Sequence, residues 1–132
     1  MRITADTNVL VRALVGDDPL QAALAERALA EAELVAVPLP VLCELVWVLV
    51  RGYRVPVPEI VAALRRLMEA GNVAANRPAV AAGIAMLEAG GDFADGVIAF
   101  EGQWLGAEQF VSFDRRAVGL AERQGVRARL LA

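Results

Sequence analysis

The chain has no histidine, and all 13 of its basic residues are arginine, so it has no lysine either; its 132 residues include one cysteine, Cys43. Each absence removes a chemistry. Without histidine there is no Ser-His-Asp or Cys-His pair and no imidazole ligand for zinc. Without lysine there is no Walker A lysine, no Schiff-base amine and no lysine nucleophile. A single cysteine excludes an internal disulfide and any paired-cysteine redox or zinc motif. Gly/Ser linkers, charge blocks and internal repeats are also missing, so residues 1–132 read as one domain. The longest apolar stretch, Leu34 to Val50, is interrupted by Pro38, Pro40 and Glu44. It is too short and too broken for the roughly 20 residues that span a bilayer. With no apolar signal region after Met1, a soluble, cytoplasmic protein without a membrane partner is expected.

What remains for catalysis is carboxylates, hydroxyls, arginine and backbone amides. The net charge of −3 argues against holding nucleic acid by bulk positive charge. It leaves room for a nucleic-acid enzyme whose acidic site is neutralised by metal ions. A hydrophobic content of 58% and a mean hydropathy of +0.50 are high for a small monomer and point to an oligomer or a partner-covered face.

Short β-rich runs alternate with longer helical patterns. Strands are expected at 3–5, 34–37, 72–75, 109–113 and 127–131. Helices are expected at 8–15, 19–33, 40–52, 58–70, 78–89, 93–104 and 115–124, several opened by proline and closed by glycine. Such alternation implies a parallel sheet flanked by helices, with ligands beyond the carboxyl ends of the strands. Two of the strands run directly into an acid, Asp6 and Asp114.

Four acids stand out: Asp6, Glu44, Asp95 and Asp114. The aspartates each have an ordinary structural reading, because a carboxylate before or within a first helical turn accepts backbone N–H bonds and complements the dipole. Glu44 is different. It is the only charged residue between Leu34 and Val50, in a helix apolar on nearly every face, which predicts a buried helix. A carboxylate buried there must be paired with an arginine, bound to metal, or turned into a polar cleft. Converging carboxylates repel unless a divalent cation compensates, and oxygen-only ligands select Mg²⁺ or Mn²⁺ over zinc. Thr7, Asn8 and Ser112 add neutral hydrogen-bonding groups at the same strand ends, for orienting water or phosphate or for capping. Arg12, Arg51, Arg54, Arg115 and Arg116 can track phosphates, whereas Arg65 and Arg66 read as a solvated face. Trp47 and Trp104 read as core or dimer contacts rather than base-stacking platforms.

These residues resemble a PIN-domain ribonuclease, and more narrowly a VapC-type toxin of a bacterial toxin–antitoxin pair. Asp6-Thr7-Asn8-Val9-Leu10-Val11-Arg12, continuing to Gly16-Asp17-Asp18-Pro19, is similar to the first acidic motif. Val41 to Leu49 resembles the second, centred on Glu44. Asp92-Phe93-Ala94-Asp95-Gly96 resembles the third, with Gly96 standing where alanine is frequent. Ser112-Phe113-Asp114-Arg115-Arg116 resembles the fourth. The resemblance spans essentially the whole chain and implies a three-layer α/β/α sandwich with a short parallel, Rossmann-like sheet. It implies Mg²⁺- or Mn²⁺-dependent hydrolysis of RNA phosphodiesters, with Asp6, Glu44 and Asp95 as principal metal-site acids. Asp114 is then the more variable fourth acid, and Asn8 and Ser112 are supporting groups. It also implies a homodimer and inhibition by a cognate antitoxin. Receiver domains and haloacid-dehalogenase-like phosphatases also gather aspartates at strand ends, but both rely on a lysine that this chain lacks. A non-catalytic module of the same fold, binding RNA or protein, and a solitary RNA-processing nuclease are the alternatives.

Overall fold

The computed structural model describes all 132 residues, Met1–Ala132. In chain order the elements are β1 (Arg2–Thr4), α1 (Thr7–Val15), α2 (Pro19–Glu31), β2 (Leu34–Ala36), α3 (Leu39–Arg51), α4 (Val57–Glu69), β3 (Val73–Ala74), α5 (Arg77–Glu88), α6 (Phe93–Trp104), β4 (Phe110–Ser112), α7 (Arg115–Arg123) and β5 (Ala128–Leu130). Every strand and helix expected from the sequence is present, with ends displaced by at most two residues. All strand pairing is parallel, so the expected α/β class with a short parallel sheet holds. The chain divides into two compact units, Met1–Asn76 and Arg77–Ala132.

In the first unit β1, β2 and β3 form a sheet in that order, with Ile3 opposite Val35 and Val35 opposite Val73. Parallel neighbours need a crossover connection, and here each crossover is a helix pair, α1–α2 and then α3–α4. Val35 on the central strand is fully buried, as a strand covered on both faces requires. Helix α2 opens as its sequence predicts: Asp18 caps it by accepting the Gln21 N–H at 3.1 Å, and Pro19 fills the first turn. The Asn72 amide donates to the carbonyls of Leu29 and Ala32, tying the end of α2 to the start of β3. In α4, Ile60, Val61 and Leu64 are buried while Arg65 and Arg66 are exposed.

The expected burial of α3 on all sides is corrected. Leu42, Leu45, Val46 and Leu49 are buried, but Glu44, Trp47 and Arg51 are exposed. At about 100° per residue these three positions fall within an arc of roughly 60°, so they share one outward face. A helix of one short unit has a single side to pack, here against α1 and α4. Apolar composition overstated its burial, because Cys43, Val48 and Val50 at the margins are only half-buried. The desolvation argument for Glu44 therefore does not hold. The core reading of the tryptophans is corrected as well, since Trp47 is 63% and Trp104 78% exposed.

In the second unit β4 pairs with β5, Phe110 opposite Ala128 and Ser112 opposite Leu130. Helix α7 packs on both strands, and Met86, Leu120 and Ala121 form a buried cluster with Phe110, Val126 and Ala128 against it. Helices α5 and α6 pack against each other with glycines at their contact. A Cβ on Gly83 would stand 2.5 Å from the Phe93 ring, and one on Gly96 would collide with the Ala82 carbonyl oxygen. Gly96 thus has a packing role beyond the slight weakening of a helix start. No helix in the chain is long and apolar enough to cross a membrane.

Candidate functional site

Asp6 stands at the carboxyl end of β1. It is exposed, its backbone is extended, and its Oδ1 accepts the Thr7 N–H at 2.8 Å, which makes it the N-cap of α1. Thr7 is buried behind it, whereas Asn8 is exposed. Helix α3 starts just past the carboxyl end of the neighbouring parallel strand β2 and packs against α1. The two acids of this unit thus both arise from the carboxyl-end side of the sheet, Asp6 directly and Glu44 in the second turn of α3.

Four residues beyond Asn8, Arg12 donates from Nη1 to Asp17 Oδ1 at 2.9 Å, and the Tyr53 hydroxyl donates to the other carboxylate oxygen at 3.0 Å. The Tyr53 hydrogen bond, with that from Arg12, holds the Asp17 carboxyl below its ordinary range against the opposing effect of desolvation. In return the hydrogen bond and charge of Asp17 raise Arg12 further above its ordinary value. Sequence reasoning missed this triad. Asp17 looked like part of a helix start, and Tyr53 lies 36 positions away, with no local pattern to connect them.

In the second unit the acids gather at the starts of α6 and α7. Asp92 precedes α6, and Asp95, partly buried, lies in its first turn. Burial pushes the Asp95 carboxyl up, and the charges of Asp92 and Asp114 push it further. Asp114 caps α7, its Oδ1 accepting the Arg116 N–H at 3.0 Å and the Ala117 N–H at 3.1 Å. Ser112 Oγ accepts the Asp114 N–H at 2.9 Å, so its observed bond is a local one that fixes the cap. Arg115 and Arg116 are exposed beside Asp114, and the Arg116 guanidinium reaches over the backbone of Gly90. Asp92 is not among the four acids that the sequence singled out.

Carboxylates without histidine or thiolate partners are the donor chemistry of Mg²⁺ and Mn²⁺ sites. The charge that Asp92 and Asp114 impose on Asp95 is of the kind a bound cation relieves. On donor chemistry these residues fit such an ion. In no part of the structure are three acidic or cysteine side chains grouped closely enough to ligate one. By unit, Asp6 and Glu44 belong to the first and Asp92, Asp95 and Asp114 to the second.

No curated protein matches the chain. The family model of the PIN domain matches residues 3–123, a span that includes all four candidate acids and every strand and helix except β5 and the first residue of β1. The chain belongs to the PIN-domain family.

Proposed function

We propose that this chain, whose fold is that of a nuclease family, is a Mg²⁺- or Mn²⁺-dependent endoribonuclease. In this reading residues 1–132 act as one catalytic domain, and the protein is the toxin of a toxin–antitoxin pair. The observation that carries the reading is Asp95 in the first turn of α6, a half-buried carboxyl pushed up by burial and then by the charges of Asp92 and Asp114, in a chain without lysine or histidine. Asp6, Glu44, Asp95 and Asp114 would hold the ion, which when bound polarises a phosphoryl oxygen and acidifies a water for in-line attack. The chain's own groups bind and orient the RNA: Asn8 and Ser112 supply neutral hydrogen bonds, and Arg12, Arg115 and Arg116 face the phosphates. Exposed Leu20, Trp47, Trp104 and Phe113 support a second copy and an antitoxin as partners, because aromatic side chains are enriched where protein surfaces meet.

The test is cleavage of a structured RNA pool in Mg²⁺ or Mn²⁺, with EDTA and Asp6→Asn as controls. Cleavage lost in both controls is expected, and activity surviving both would sink the metal–carboxylate mechanism. The toxin role predicts growth arrest on induction, relieved by co-expressing the product of an adjacent short reading frame.

A further inference from the structure

Between α1 and α2, inside the first unit, lies a cleft of about 440 Å³. Asn8, Val9 and Arg12 line it from α1, and Gln21, Leu24 and Ala28 line it from α2. Asn8 and Arg12 are one turn apart on the same helix face, about 6 Å along the axis. Asn8 and Val9 lie in the first turn of α1, at the end that Asp6 caps. Arg12 is already fixed in orientation: Asp17 engages Nη1, and Tyr53 holds Asp17 from the other side. A guanidinium has five N–H donors, so this bond leaves others to serve a ligand, with part of the ordering cost met before binding. Leu24 is 61% exposed and gives the cleft an aliphatic ledge.

Two carboxamides and a guanidinium lining one cleft together with aliphatic side chains suit a nucleotide. Carboxamides pair with base edges, arginine pairs with phosphate, and an aliphatic wall lies against a base face. The volume falls toward the small end of ligand sites, roughly 300–1,000 Å³, which suits one nucleotide rather than a longer segment. We propose that the α1–α2 cleft is a nucleotide subsite. It takes one nucleotide of the RNA strand next to the cut phosphodiester, with Arg12 on the phosphate and Asn8 and Gln21 on the base. This assignment rests on the ribonuclease reading above and adds to it where the strand lies beside Asp6.

The experiment measures binding and cleavage separately. Binding is followed by fluorescence anisotropy of labelled hexauridylate and hexaadenylate in Ca²⁺ buffer, and cleavage of the same oligomers in Mn²⁺. The informative variant is Gln21→Glu, which puts a carboxylate in the cleft while the backbone bond from residue 21 to Asp18 is kept; Arg12→Ala is the second. Both are expected to weaken RNA binding by roughly tenfold or more, the scale of one lost charge-assisted or buried hydrogen bond. Gln21→Glu should raise KM with kcat and melting temperature unchanged. Wild-type affinity in both variants, or no binding of either oligomer by the wild type, overturns the proposal and leaves Val9 and Leu24 as a seat for a protein helix. RNA bound and lost on mutation, yet never cut, defeats the ribonuclease reading and keeps the subsite. Asp6-dependent cleavage with unaltered binding in the variants does the reverse.

Discussion

Asp114 serves two roles that its chemistry allows to be separated. Its carboxylate caps α7 through the N–H groups of Arg116 and Ala117, and its charge raises Asp95. Asparagine is as good an N-cap as aspartate, whereas alanine removes the acceptor, at a typical cost of about 1 kcal/mol. Asp114→Ala should therefore lose about that much in urea unfolding, and Asp114→Asn only a few tenths. If Asp114 belongs to the metal site, both variants lose RNA cleavage to the same degree; full activity in Asp114→Asn would reduce it to a cap. Asp17 yields a prediction of opposite character, concerned with pH. Its carboxyl is held below the ordinary range by the hydrogen bond from Tyr53 and then by Arg12. A depressed carboxyl contributes stability above its unfolded value, and that contribution disappears as pH falls through the folded value. Thermal melts taken from neutral pH to below about pH 4 should show the wild type losing more than Asp17→Asn, with Tyr53→Phe intermediate. Parallel curves would show that the triad contributes no stability. At this scale the sequence was legible for the acids, whose types and spacing are local. It was silent on Tyr53, whose partner is set by the path of the α3–α4 loop.

Among the elements, legibility followed the strength of the local signals. Pro19 after Asp17-Asp18, the glycine breaks and the 3.6-residue apolar pattern of α4 each specify a boundary or a face with short-range chemistry. The outward face of α3 was illegible for a physical reason. Valine and leucine fill its flanks as well as its packed side, so composition could not distinguish a helix packed on one side from one buried on all. Gly96 is the element-scale position with the sharpest consequence. Alanine in place of glycine ordinarily gains helix stability, about 0.5–1 kcal/mol. Here the added methyl would meet backbone, the Ala82 carbonyl and the Cα of Gly83, and neither can swing aside as a flexible side chain could. Overpacking of this kind costs about 1–3 kcal/mol, so Gly96→Ala should be net destabilising in chemical denaturation. The prediction is pointed because alanine is frequent at this place in proteins the motif resembles. A stabilised Gly96→Ala would mean that α5 and α6 stand further apart than described.

For the whole molecule, the open question is whether the two sets of acids work as one. Asp6 and Glu44 belong to Met1–Asn76, and Asp92, Asp95 and Asp114 to Arg77–Ala132. An ion that binds only the folded chain raises its stability by mass action, about 2.7 kcal/mol at a hundred times its dissociation constant. In a protein of this size that corresponds to a rise in melting temperature of about 10 °C, a readout that needs no catalysis. Wild type should therefore melt higher as Mn²⁺ is added and return to its starting value with EDTA. Asp95→Asn should melt higher than wild type without metal, because it removes a charge that burial and two neighbouring acids already oppose. It should also lose the metal-induced rise. Asp6→Asn then distinguishes two architectures. If one ion takes ligands from both units, this variant loses the rise as well, and residues 1–132 behave as one catalytic domain. If the rise persists in Asp6→Asn and vanishes only in Asp95→Asn, the ion is held by the second unit alone. Asp6 would then be the cap of α1 that its bond to Thr7 already makes it.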